Sequence, residues 1–184
     1  MRIITTVLLA VLLCLVYGNI CLAVTVSAAG IGTPGCNPGT AIICPTGDMG
    51  AIQVTATEAA GYPVGTRITC TAAGPLICFC PGQNPQTQVV PVGNPVVNFT
   101  YFREGGCGNV TFSVVSTFSG AAGPTPPIFV ASPDINGDCQ VNLIDFVQFA
   151  QCFLGANPCC DFNCDGTVNL TDFITFATHY LHFC

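Results

Sequence analysis

Asp134-Ile-Asn-Gly-Asp-Cys-Gln-Val-Asn-Leu-Ile-Asp145 and Asp161-Phe-Asn-Cys-Asp-Gly-Thr-Val-Asn-Leu-Thr-Asp172 are two copies of one twelve-residue pattern, 27 residues apart. Oxygen-bearing side chains stand at positions 1, 3, 5, 9 and 12 of both copies. That is the ligand spacing of an EF-hand-type calcium loop, because calcium is a hard cation that collects six to eight oxygens from one turn of chain. The chain has nine acidic residues, and six of them are the Asp residues of these loops. The pattern predicts two bound Ca2+ ions. In loop one Asp134, Asn136 and Asp138 supply positions 1, 3 and 5. Gln140 supplies its backbone carbonyl, Asn142 acts directly or through water, and Asp145 closes the site. In loop two the same parts fall to Asp161, Asn163, Asp165, the Thr167 carbonyl, Asn169 and Asp172. The closing Asp of each loop lies in the first turn of a helix, where the helix dipole favours a carboxylate.

The residues after the loops also match. Leu143, Asp145, Phe146, Phe149 and Ala150 correspond to Leu170, Asp172, Phe173, Phe176 and Ala177. Phe, Phe and Ala at i, i+3 and i+4 make one apolar stripe on a helix, and the two stripes are expected to pack on each other. No helix precedes Asp134, since Ala131-Ser-Pro133 reads as extended chain. A doubled Asp-x-Asn-x-Asp-Gly-x-Val-Asn-x-x-Asp with only the exiting helix resembles a type I dockerin, over residues 132–184. That resemblance implies a calcium-folded helical pair that docks on a cohesin-like receptor. Two features depart from it. Position 6 of loop one is Cys139 where a positive φ calls for Gly, a strain of about 1–2 kcal/mol; loop two has Gly166. Loop one is therefore expected to bind more weakly unless a disulfide holds Cys139. Positions 10 and 11, where dockerins present a hydroxyl pair, are Leu143-Ile144 and Leu170-Thr171, which points to another partner or to the neighbouring domain.

Residues 24–119 carry a β signature, with short Val/Ile/Thr/Phe-rich stretches punctuated by Gly and Pro. Alternation marks Ala51–Thr57, Arg67–Thr71, Val96–Phe102 and Asn109–Val115, with weaker candidates at Val24–Ala28, Leu76–Cys80 and Thr87–Val92. About seven strands suit a small sandwich. Gly61-Tyr-Pro63 reads as a turn and Gly105-Gly106 as a hairpin turn. Gln53-Val-Thr-Ala-Thr-Glu-Ala-Ala-Gly-Tyr-Pro-Val64 resembles bacterial immunoglobulin-like repeats. The expected fold is thus α+β in two domains. An all-β immunoglobulin-like sandwich (24–119) leads through a Pro/Gly linker (120–131) to an all-α dockerin-like pair of calcium loop–helix units (132–184).

Residues 1–23 read as a secretory signal peptide: Arg2, an apolar run from Ile3 to Tyr17, then small residues before position 24. The run is short for a membrane span of about 20 residues, so no span is expected after cleavage. The remaining chain keeps six Cys before residue 120 (Cys36, Cys44, Cys70, Cys78, Cys80, Cys107) and six after it (Cys139, Cys152, Cys159, Cys160, Cys164, Cys184). In an exported protein this suggests disulfides confined within each half. Structural zinc is the weaker alternative, because Cys78-Phe-Cys80 and Cys159-Cys160 are poor zinc spacings. The chain has no Lys, and cleavage leaves Arg67 and Arg103 against nine acidic residues. That excludes nucleic acid and anionic lipid as partners recognised by clustered positive charge.

Catalytic groups are scarce. Outside the loops the acidic residues are Asp48, Glu58 and Glu104, and the β region has no His. Glu104 beside Arg103 reads as a surface turn, and no enzyme activity is expected. His179 and His182, three apart with Cys184 nearby, read as a solvated helix end. Asn98-Phe-Thr100 and Asn109-Val-Thr111 are glycosylation sequons. Two functional readings follow. One is a secreted, non-enzymatic, disulfide-rich, calcium-binding structural protein of the cell surface or extracellular space: a coat, fibre or matrix subunit. The other is a docking module for a cohesin-like receptor.

Overall fold

The computed structural model describes residues 24–32, 35–37, 39–58, 63, 65–90 and 94–184. The expected signal peptide and most of the Gly61–Pro63 turn lie outside these residues. The described residues form eleven strands and two helices, in order: β1 Val24–Ile31, β2 Thr40–Ile42, β3 Ala51–Glu58, β4 Arg67–Ala73, β5 Ile77–Phe79, β6 Gln86–Val89, β7 Val96–Tyr101, β8 Glu104–Gly106, β9 Gly108–Ser116, β10 Gly120–Ala122, β11 Ile128–Ala131, α1 Leu143–Cys152 and α2 Leu170–Thr178. One sheet has the order β1-β3-β7 and a second β2-β11-β9-β4-β6, with β10 on β9 and a separate β5-β8 ribbon.

Period-2 alternation builds the first core. Ile52, Val54 and Ala56 of β3 and Val97, Phe99 and Tyr101 of β7 face inward from one sheet. Ile68, Cys70 and Ala72 of β4 and Val110, Phe112 and Val114 of β9 face inward from the other. The Tyr101 hydroxyl is satisfied inside this core by donating to the Cys70 carbonyl at 2.9 Å.

β2 and β11 behave differently. They pair in parallel, Phe129 against Thr40 through Ala131 against Ile42. Ala41, Ile43, Ile128 and Val130 enter the first core, while Ile42, Cys44, Phe129 and Ala131 face a second. A strand pair covered on both sides reads as a continuous apolar run rather than as alternation. That second core is completed by Val141, Phe149, Phe162, Val168 and Phe176.

These findings correct the expected α+β, two-domain fold. The chain is mostly β, and among the described residues the helices are only ten and nine residues long. The C-terminal segment is not an all-α pair with a core of its own, because Ile42, Cys44 and Ala131 of the β region fill the same cluster. Residues 120–131, read as a linker, contribute β10 and β11. Gly105-Gly106 is no hairpin turn. β7 pairs with β3, β9 pairs with β4, and Gly105 and Gly106 lie in β8 against β5. Gly106 has φ +102, and a Cβ there would collide with the Leu76 carbonyl, so only Gly fits.

The disulfides are corrected as well. Among the described residues, Cys36–Cys164, Cys78–Cys139, Cys80–Cys184 and Cys107–Cys159 cross between the halves, and Cys152–Cys160 alone stays within one. Residues two apart on an extended strand point the same way. Cys78 and Cys80 therefore both face the C-terminal segment.

Candidate metal centre

Each helix starts at a built terminus. Asn142 and Asn169 are N-caps whose side chains accept from the backbone N–H of Ile144 and Thr171, each at 2.8 Å. The closing Asp of each loop completes a capping box. Asp145 accepts from the Asn142 N–H at 2.9 Å, and Asp172 accepts from the Asn169 N–H at 2.9 Å. Asn142 and Asn169, expected as ligands at position 9, therefore use their amide oxygens to cap helices. Asn-x-x-Asp is a polar variant of the capping box, and that signal was already present in the sequence.

Loop one follows β11 directly. Asp134 is fully buried, and its N–H donates to the Ser132 hydroxyl at 3.1 Å. Its carboxylate accepts from the N–H groups of Gly137, Asp138 and Cys139 at 3.0, 3.1 and 2.8 Å. Asp145, also fully buried, accepts from Asn136 N–H at 3.1 Å. Carboxylate oxygens of Asp134, Asp138 and Asp145 lie within 4.8 Å of one another. The Asn136 amide donates to Asp138 at 3.0 Å, and the Gln140 N–H donates to the same carboxylate at 3.0 Å. Positions 1, 5 and 12 thus converge, with Asn136 and Gln140 hydrogen-bonded to Asp138 beside them.

Loop two repeats the scheme. Asp161 accepts from the N–H groups of Asp165 and Gly166 at 3.2 and 2.8 Å. Asp172, fully buried, accepts from Phe162 and Asn163 at 2.7 and 3.2 Å. Asn163 donates to Asp165 at 3.0 Å, and Thr167 donates to Asp165 through both its N–H and its hydroxyl. Among the described residues, the mutual 4.8 Å grouping of three carboxylates is met in loop one.

Electrostatics test whether the residues suit a cation. Burial, together with the neighbouring Asp145 carboxylate, pushes Asp134 up to about 7 despite its backbone donors. Burial likewise raises Asp145. Two buried carboxylates and a third at the rim constitute an anionic group that a divalent cation would neutralise. Carboxylate and amide oxygens are hard donors, the set calcium selects. Each carboxylate oxygen has two lone pairs, so the backbone N–H bonds leave acceptor capacity toward an ion.

Position 6 of loop one has the conformation expected of Gly. Cys139 stands at φ +68 and Gly166 at φ +90. The Cys78–Cys139 disulfide anchors that strained residue to β5. Behind the loops, the helix stripes meet as the sequence implies: Phe149 lies 5.3 Å from Phe176 and 6.1 Å from Phe173, and Phe146 lies 6.1 Å from Phe176. Exposed residues of the two helices include the large apolar side chains of Leu143, Ile144, Val147, Leu170 and Ile174.

Two readings of single residues change. Glu104 is fully buried rather than on a surface turn, and neither of its carboxyl oxygens has a hydrogen-bond partner. His179 is buried against Asp48 rather than solvated. Comparison of the chain with protein-family models, with curated proteins and with solved structures returned no match.

Proposed function

We propose that the protein is a secreted, non-enzymatic structural subunit whose helical segment is stabilised by two calcium ions and which assembles with copies of itself. The observation that carries this reading is the coupling of two features at one place. The three grouped carboxylates of loop one, two of them buried, lead into α1, and α1 and α2 both expose apolar side chains. Large apolar side chains exposed on both helices favour an interaction surface there, and calcium would set the helices that carry them. The crossing disulfides support an oxidising, extracellular setting. The near-absence of positive charge supports packing against neutral neighbours rather than polyanions.

Size and shape of the oxidised protein, measured by light scattering and negative-stain microscopy with calcium and with chelator, test the proposal. Calcium-dependent oligomers or polymers, lost when Ile144 and Ile174 are replaced by Asp, are the expected result. A monomer at every concentration and calcium level overturns assembly. If that monomer is captured by an immobilised cohesin, the docking alternative takes its place.

A further inference from the structure

The C-terminal end of α2 meets the turn after β2, and four metal-ligating side chains converge there. Cys44 is one of two free cysteines among the described residues and is fully buried. Its sulfur lies 3.5 Å from His182 Nδ1. Asp48 lies 3.6 Å from His179 Nε2 and 3.7 Å from His182 Nδ1. Ligand atoms of all four residues lie within 4.8 Å of one another.

We propose that Cys44, Asp48, His179 and His182 form a tetrahedral site for a divalent transition-metal ion of the zinc class. Zinc takes one thiolate at about 2.3 Å and nitrogen or oxygen donors at about 2.0–2.2 Å, so the edges of its tetrahedron are about 3.4–3.6 Å. The sulfur–nitrogen separation and the two nitrogen–oxygen separations, to Asp48 Oδ1 for His179 and to Oδ2 for His182, fall on or within about 0.3 Å of those edges. A Cys-His-His-carboxylate set excludes calcium, which wants only oxygens, and matches a borderline ion.

The surroundings orient the donors. His179 Nδ1 lies 2.7 Å from the Thr175 carbonyl, which requires the proton on Nδ1 and leaves the Nε2 lone pair facing Asp48. A carbonyl holding the far ring nitrogen is the usual support of a metal-binding histidine. His182 is fixed through its backbone, since its carbonyl accepts from Val141 N–H at 2.8 Å and its N–H donates to the His179 carbonyl at 3.0 Å. The Gly47 N–H closes the turn onto the Cys44 carbonyl at 2.8 Å, and Arg103 Nε donates to the Pro45 carbonyl at 3.2 Å. Thr46 lies 2.6 Å from Asp48 and 3.0 Å from His182 Nδ1. Asp48 is half-exposed, which gives an ion its route in, while Cys44 forms the floor. Binding would release the Cys44 thiol proton to solvent and tie the turn after β2 to the end of α2, a fastening separate from both calcium loops.

Cobalt(II) reports such a site directly, because a tetrahedral thiolate complex absorbs strongly in the visible and shows a sulfur-to-metal band in the near ultraviolet. The full oxidised protein is stripped with chelator, returned to saturating calcium so that the loops are out of contention, and titrated with Co2+ and then Zn2+. The expected result is both bands reaching a maximum at one equivalent, and their loss on adding one equivalent of Zn2+. Cys44→Ser should abolish the near-ultraviolet band. His182→Ala, at a partly exposed position, should weaken binding beyond the roughly 10–100-fold that loss of a supporting contact costs, and near-ultraviolet circular dichroism checks that each variant is folded. If Cys44→Ser does not fold, the sulfur-to-metal band of the wild type and the His182→Ala affinity decide. A weak octahedral spectrum, binding without the sulfur band, or bands unchanged in the folded variants overturns the proposal.

Discussion

Replacing Glu104 by Gln probes a carboxyl group held neutral inside the β region. Glu104 is fully buried, with no hydrogen-bond partner for either carboxyl oxygen. That burial pushes it from 4.5 up to about 8. Between those two values the folded protein keeps a proton that the unfolded chain releases, so stability falls as pH rises through that window and levels off above about 8. At about 1.4 kcal/mol per pH unit the gap corresponds to at most about 5 kcal/mol. Relaxation of the native state around the charge reduces this, and a fall on the order of 3 kcal/mol is the working expectation. Gln has nearly the same shape and does not titrate, so subtracting the two pH profiles isolates this one group. The assay is urea unfolding followed by far-ultraviolet circular dichroism from pH 4 to 9, with disulfides intact and calcium saturating. Glu104→Gln should be no more stable than the wild type at the acid end, where both side chains are neutral, and more stable at the alkaline end. Parallel stability curves across the whole range would refute the reasoning, since they would mean that Glu104 reaches water or a counter-charge.

On the calcium binding proposed above, Asp145→Ala should remove the loop-one ion and the capping box of α1 together. With calcium at 100 times its Kd, about 2.7 kcal/mol of stabilisation per site is lost, plus about 1 kcal/mol for the cap, read as a lower Tm whose calcium dependence is roughly halved. The pair Cys78→Ala with Cys139→Gly should be more stable than Cys78→Ala with Cys139→Ala by about 1–2 kcal/mol in chemical denaturation, because Gly accepts the φ of +68 without strain. Equal stabilities would show that the loop relaxes once uncrosslinked. Burial pushes both Cys44 and Cys70 up to about 11. Metal-free folded protein should therefore leave these two thiols unreactive toward a disulfide reagent at neutral pH and release both in denaturant; rapid reaction in the folded state would contradict their burial.

What could be read from the residues follows from where periodicity operates. β3, β4, β7 and β9 each bury one face and wet the other, so alternation marks them, and strands occur at those stretches. β2 and β11 are covered on both faces, so Ala41-Ile-Ile43 and Ile128-Phe-Val130 lack that pattern. Missing them concealed the wall shared by the two cores, and with it the reason why the segment after residue 132 does not stand apart as an all-α pair. The Asp spacing of the loops is a local property and was legible in full. The cluster at Cys44 was not, because its members are 138 residues apart at the extremes and only tertiary packing joins them. Cysteine parity misled for the same reason: an even count in each half is compatible with four bridges that cross.

Those crossing bridges also set how the molecule responds to tension. A pull applied between Val24 and Cys184 does not travel along the peptide chain. It leaves the backbone at Cys36, enters Cys164, and continues to the last residue. Only the 12 residues before Cys36 and the 20 after Cys164 lie on that path. At about 3.5 Å per residue they can pay out roughly 110 Å, whereas an uncrosslinked chain of the same span would reach about 560 Å. Cys184 is additionally clamped to Cys80, so part of the load passes from the tail straight into the sheet region and bypasses α2. Even with both cores melted the protein would remain a short, nearly inextensible tether, a property the proposed structural role would draw on.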